Sequence, residues 1–209
     1  MENAIELLRK HSNCDDPIAI TELGTSNARQ SCRGKVPVEQ TEQVMEFMVE
    51  NQGVCVWGIR LDAGDDPPVV VAVDPDFQWR PQADAFSTFI NCQAWDHAKV
   101  FGGILLGAQV LSVGPKQLRE DIELLRREFR ERPSTYGWPG RQAFRFERGE
   151  DRVLIWEAVH QADWWISSET EDGLAAVTHE LWACSDLSSS LYGLEERGER
   201  VLEMLRKPQ

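Results

Sequence analysis

The chain has no C-x-x-C pair, no long uninterrupted apolar run and no excess of positive charge, and each lack removes a class of function. Its five cysteines, Cys14, Cys32, Cys55, Cys92 and Cys184, are odd in number and widely scattered. That pattern pre-forms neither a zinc site nor a redox pair, and it fits a reducing compartment. Cys55 and Cys92 fall within apolar patterns and read as small buried hydrophobes. The longest apolar stretch, Val100 to Val113, includes Gly102, Gly103 and Gly107. It is shorter than the ~20 residues a membrane-spanning helix needs, so it reads as core. The first residues, Met1-Glu2-Asn3-Ala4-Ile5-Glu6, carry acid where a secretion signal has a basic start, which points to the cytoplasm. With 22 Lys and Arg against 35 Asp and Glu, the net charge is -13. Long-range repulsion therefore opposes binding to nucleic acid or to an anionic membrane surface, and a cationic partner is the natural inference.

Catalytic signatures are missing as well. His179-Glu180 lacks the second histidine of H-E-x-x-H, because Leu181-Trp182-Ala183 follows. Gly34-Lys35 has neither the leading glycine of a phosphate loop, where Arg29 stands, nor its hydroxyl, where Val36 stands. Neither G-x-S-x-G nor G-x-G-x-x-G occurs, and His11, His97, His160 and His179 have no ligand spacing. Asp62, Asp65 and Asp66 precede two prolines and lack a loop-closing glutamate, so they read as a solvated turn rather than a calcium loop. The expectation is a protein without catalysis, cofactor or metal.

What the chain does have is patterned hydrophobicity. Its 209 residues, 42% hydrophobic and 27% charged, suit one soluble globular domain. A short helix is expected over Glu2 to His11, then a turn at Asn13 to Pro17 and a long loop over Thr21 to Lys35. Val44, Met45 and Met48 suggest a helix entered near Pro37 and ended by Gly53. Cys55, Trp57, Ile59 and Leu61 alternate as one face of a strand, and Val69 to Val73 pairs with it as a hairpin. Phe86, Phe89, Ile90 and Trp95 predict a further helix. Leu118, Ile122, Leu125 and Phe129 recur at helical spacing after Gly114-Pro115, with Arg132-Pro133 as the stop. In the second half, Ala143 to Glu147, Arg152 to Ala158 and Asp163 to Ser167 predict a three-stranded antiparallel meander with a glycine turn at Gly149. Trp164 and Trp165 must then point to opposite faces. Leu174, Val177 and Leu181 predict a covering helix, and Leu191, Leu194, Val201, Leu202 and Leu205 a final helix softened near Gly193 and Gly198. The class is α+β, a mainly antiparallel sheet packed by helices from both ends of the chain.

Several of these segments resemble the SUKH superfamily, which includes bacterial immunity proteins and fungal cell-wall-assembly regulators. The matching residues are Val36-Pro37, the helix ending in Phe47 to Gly53, and the strand Val54 to Gly58. Further matches are Asp66-Pro67-Pro68-Val69, Trp79 in a loop, Phe86-Ser87-Thr88-Phe89-Ile90, and Trp164-Trp165-Ile166 before a helix near Leu174. The similarity spans about Val36 to Ala183. The helix and loop of residues 1–35 and a C-terminal extension from about 187 to 209 lie outside it, within one SUKH-like domain. The resemblance implies a non-catalytic bacterial immunity protein that binds and neutralises a cognate toxin in the cytoplasm, and toxins that engage nucleic acid, such as nucleases, tend to be basic. The alternative is a cytosolic regulator or scaffold binding housekeeping proteins. Either would be a monomer or weak homodimer. Aromatic anchors with an acidic rim suit such recognition. The candidates are Trp79, Tyr136, Trp138 and one of Trp164 or Trp165, rimmed by Asp62, Asp65 and Asp66 or by Glu169, Glu171 and Asp172, while Trp57, Trp95, Trp156 and Trp182 read as core.

Overall fold

The computed structural model describes residues 44–61, 63–74, 78–111, 115–182, 184 and 187–206. The expected helix over Glu2 to His11, the loop over Thr21 to Lys35, the Val36-Pro37 match and Asp62 lie outside the described residues. The chain divides into two compact units, 1–90 and 91–209.

In the first unit, β1 (Val44–Val49), β2 (Cys55–Arg60), β3 (Val69–Val73) and β4 (Trp79–Ala83) form a four-stranded antiparallel sheet in sequence order. The helix expected to end at Gly53 is therefore a strand. A register shift between Glu46 and Met48 explains the misreading. The extra residue of a bulge breaks period-2 alternation, so Val44, Met45 and Met48 imitate helical spacing. Phe47, the bulged residue, packs edge-on against Phe86 and Phe89 at 5.3 and 5.6 Å. Gly53 has the positive φ expected of it, 70°, but closes a hairpin, with its N–H donating to the Glu50 carbonyl at 2.8 Å. Trp79 stands at the start of β4 rather than in a loop, with its ring over the bare backbone of Gly58, where a Cβ would come within 3.2 Å of it. Helix α1 (Phe86–Trp95) begins where expected. Asp66 accepts from the Ser87 N–H at 2.9 Å and hydroxyl at 2.6 Å, satisfying a donor of its first turn.

The second unit is built on a six-stranded antiparallel sheet, ordered β10-β5-β9-β8-β7-β6, whose members are β5 (Ile104–Leu111), β6 (Arg130–Tyr136), β7 (Gln142–Arg148), β8 (Asp151–Glu157), β9 (Gln161–Ser168) and β10 (Leu191–Gly193). The predicted meander β7-β8-β9 is its centre, with Gly149 at φ 56° in the turn. Three strands were not predicted as such. The glycine-bearing apolar stretch is β5. Arg130 to Tyr136 is β6, so α2 (Pro115–Glu128) stops before Arg132-Pro133. Leu191 to Gly193 is β10, so only Glu196–Arg206 is helical at the end, as α5. The remaining helices are α3 (Glu171–Glu180) and the short α4 (Leu187–Ser190). Thr170 caps α3 by accepting from the Gly173 N–H at 3.1 Å.

One sheet face meets the predicted amphipathic stripes. Ile104, Leu106, Phe146, Val153, Ile155, Trp164 and Ile166 bury against Leu118, Ile122 and Leu125 of α2, Leu174 and Val177 of α3, and Val201 and Leu202 of α5. Leu125 is 0% exposed. Leu125→Ala is expected to cost about 2–5 kcal/mol, measured as a fall in the urea unfolding midpoint at unchanged slope.

Candidate partner-binding face

Strand alternation sends Leu105, Ala143, Leu154, Trp156 and Trp165 to the other face of the six-stranded sheet. Trp95 and a π-helical turn, Asp96–Val100, cover part of it through a smaller apolar cluster. The turn is held from below by Arg145, which is 1% exposed. Its Nε and Nη2 donate to the two Asp96 carboxylate oxygens at 2.8 and 2.7 Å. Its Nη1 donates to Thr135 Oγ1 at 3.1 Å and to the Ala143 and Pro133 carbonyls at 3.3 and 3.4 Å. Burial pushes the Asp96 carboxyl up, against the pull of the Arg145 guanidinium.

Beyond the turn the face opens. Phe101, the residue after the π-helical turn, is 37% exposed. Its ring meets Trp165 at 5.7 Å and Trp156 at 6.1 Å, and the two indoles meet each other at 5.1 Å and 65°. Trp156 and Trp165 are half-buried. The register explains the grouping. Tyr192 pairs with Gly107, Gly107 with Trp165 and Trp165 with Leu154, placing the four in one row across four strands. A Cβ at Gly107 would lie 2.6 to 2.8 Å from Tyr192 ring and hydroxyl atoms, so the missing side chain lets the exposed tyrosine lie over the sheet. In the next row Gln109 pairs with Asp163 and Asp163 with Trp156. Asp163 accepts from the side-chain amides of Gln161 at 2.8 Å and Gln109 at 3.3 Å. Burial, and then the Asp163 carboxylate, push the Tyr192 phenol above its ordinary range. The result is an aromatic surface beside a carboxylate, bordered by exposed Leu111.

Of the predicted anchors, Trp165 belongs to this surface. Trp164 lies on the opposite face and is 0% exposed, so it leaves the candidate set: a partner cannot touch it. Tyr136 is exposed at the end of β6, but its register neighbours Gln142 and Glu157 alternate away from Trp156. Trp138 is half-buried in the loop between β6 and β7. Trp79 is a half-buried strand residue of the first unit. Among the acids, Asp65 is exposed and Asp66 is engaged with Ser87. Glu171 accepts from Arg200 at 2.7 Å and sits 3.5 Å from Arg197, an internal bond between α3 and α5. Glu169 and Asp172 are exposed at the start of α3. Phe101, Trp156, Tyr192 and Asp163 were not singled out from sequence as contact residues. The signal available for Trp156 was its place on the same strand face as Leu154. Phe101 and Tyr192 are brought in only by the π-helical turn and by β10.

A second polar cluster sits on this side of the sheet. Glu147 accepts from the Trp95 indole N–H at 3.1 Å and from Arg132 at 3.2 Å, and the Arg132 guanidinium lies 5.5 Å from the Trp95 ring centre. Burial works against the Glu147 carboxylate, but the Trp95 and Arg132 hydrogen bonds and the Arg132 charge hold it below its ordinary value of 4.5. Between 4.5 and that lower folded value the unfolded chain binds more protons. Stability contributed by Glu147 is thus present above the window and lost as pH falls through it. The stability of Glu147→Gln is expected to depend less on pH there than that of the parent chain, read as the difference between their urea midpoints at each pH.

Among the described residues no group of three or more His, Cys, Asp or Glu could hold a metal ion. No helix among them is long and apolar enough to cross a membrane. No protein-family model, curated protein or solved structure matches the chain.

Proposed function

We propose that this chain is a non-catalytic binding protein that captures a basic protein partner, as an immunity protein of the SUKH type neutralising a cognate toxin in the bacterial cytoplasm. The observation that carries the reading is the partly exposed aromatic surface of Phe101, Trp156, Trp165 and Tyr192 beside Asp163, on a chain of net charge -13. Clustered aromatics supply the desolvated anchors of protein interfaces, and a negative field steers a cationic partner to them. Cys55, Cys92 and Cys184 are buried free thiols. The SUKH resemblance rests on sequence segments alone: Asp66-Pro67-Pro68-Val69, which enters β3, Phe86 to Ile90, which starts α1, and Trp164-Trp165-Ile166, which lies in the strand before α3. The segment Phe47 to Gly53 contributes a hairpin in place of the helix.

Co-expression with the product of each neighbouring gene, followed by purification through one partner, tests the reading. A single basic partner that co-purifies at low ionic strength and is released by salt is the expected result. Recovery of several unrelated housekeeping proteins, with none encoded nearby, would favour the regulator or scaffold instead.

A further inference from the structure

A cavity of about 330 Å³ opens beside the Gly102-Gly103 turn, where β5 begins, and it is lined by side chains of both charges. Its most unusual member is Arg152 of β8. This arginine is 8% exposed. Its Nη1 donates to the carbonyls of Gly149 at 2.6 Å and Asp151 at 2.9 Å, while its buried Nε has no acceptor. Arg145, one strand away, is buried more deeply still but is paired with a bidentate carboxylate. No carboxylate among the described residues pairs with Arg152. A buried guanidinium with only carbonyl partners keeps its charge uncompensated, a situation proteins ordinarily resolve by pairing.

The other charges around the cavity narrow what could complete it. Lys99 and Arg197 add positive charge, and Arg197 is already 3.5 Å from Glu171. Glu150, Glu169 and Glu195 also line the cavity, and none of them is bonded to Arg152. A dianion such as phosphate would face three glutamates on a strongly acidic chain, and a simple cation would leave Arg152 unmatched. A ligand carrying one carboxylate and one ammonium satisfies both halves, because a buried guanidinium suits a carboxylate and the glutamates suit the ammonium. The volume lies at the lower end of the range for small-molecule sites.

We propose that this cavity binds a small amino-acid-type zwitterion, a free amino acid or a short peptide, with its carboxylate on Arg152 and its ammonium among Glu150, Glu169 and Glu195. None of the aromatic residues of the candidate face lines this cavity, and the proposal does not depend on the partner assigned to that face. Titration of the full chain with L-alanine and with alanyl-alanine, followed by calorimetry and by amide chemical shifts, tests it and separates the two sources. N-acetylalanine, alaninamide and inorganic phosphate are the controls. At least one zwitterion is expected to bind with a Kd of about 1 mM or tighter, and each control at least about tenfold more weakly, a difference of about 1.4 kcal/mol. Arg152→Gln is expected to abolish saturation. Should that variant fail to fold, Glu195→Gln, at an exposed position, is expected to weaken the zwitterion severalfold while leaving N-acetylalanine unchanged. No saturation by either zwitterion, equal binding of phosphate or N-acetylalanine, or binding indifferent to Glu195→Gln would each overturn the proposal.

Discussion

Asp96→Ala is expected to destabilise the protein by about 3–5 kcal/mol, because it strands a charged side chain that water cannot reach. Arg145 is 1% exposed and gives two of its three nitrogens to Asp96. The remaining acceptors, Thr135 Oγ1 and the Ala143 and Pro133 carbonyls, are all served by Nη1. Removing the carboxylate therefore leaves Nε and Nη2 unmatched as well as the charge. Against a total stability of typically 5–15 kcal/mol, that loss is large. Replacing both partners, Asp96→Leu with Arg145→Met, is expected to recover most of it, since the penalty lies in the orphaned charge more than in the lost attraction. Urea unfolding of the two single variants and the double variant measures this. A loss below about 1 kcal/mol in Asp96→Ala would contradict the buried pair.

The second large effect concerns recognition. Phe101→Ala is expected to weaken partner binding by about 2–4 kcal/mol, or roughly 30- to 900-fold in Kd, the size typical of an interface anchor. Folding should suffer much less, because Phe101 is 37% exposed, with ring contacts to His97, Trp156 and Trp165. Tyr192→Ala should lower affinity as well, by removing the exposed ring over Gly107. Gly107→Ala is a sharper probe, since its new methyl group displaces that ring without deleting it. Tyr136→Ala, on the alternate face, should bind as the parent does. Melting temperatures of the same variants separate lost contact from lost structure, and equal weakening by Tyr136→Ala would move the interface away from the predicted face.

Legibility in the sequence followed periodicity. Leu118, Ile122, Leu125 and Phe129 announced α2 because all four bury on one side, and β7 to β9 announced themselves through alternation and Gly149. Val44 to Val49 failed where a bulge broke the alternation that marks a strand. Arg130 to Tyr136 failed because β6 lies at the edge of its sheet among the described residues: Arg130, Glu131 and Pro133 are exposed, and its only strand partner among those residues is β7. Leu191 to Gly193 is three residues long, too short for any period to register. The candidate site was half legible. That one of Trp164 and Trp165 must face away from the core follows from strand geometry alone. Trp156 joins it through the neighbouring β8-β9 pairing, whereas Phe101 and Tyr192 join through contacts and pairings between residues about 55 to 85 positions apart in the chain.

The most direct test is a calorimetric titration of the purified chain with the basic protein that co-expression with neighbouring gene products is proposed to recover, at low and at high ionic strength, repeated with Phe101→Asp. A one-to-one complex that weakens with added salt and is lost with Phe101→Asp is expected. Absence of binding at low ionic strength, or a complex that Phe101→Asp leaves intact, would contradict the proposed function.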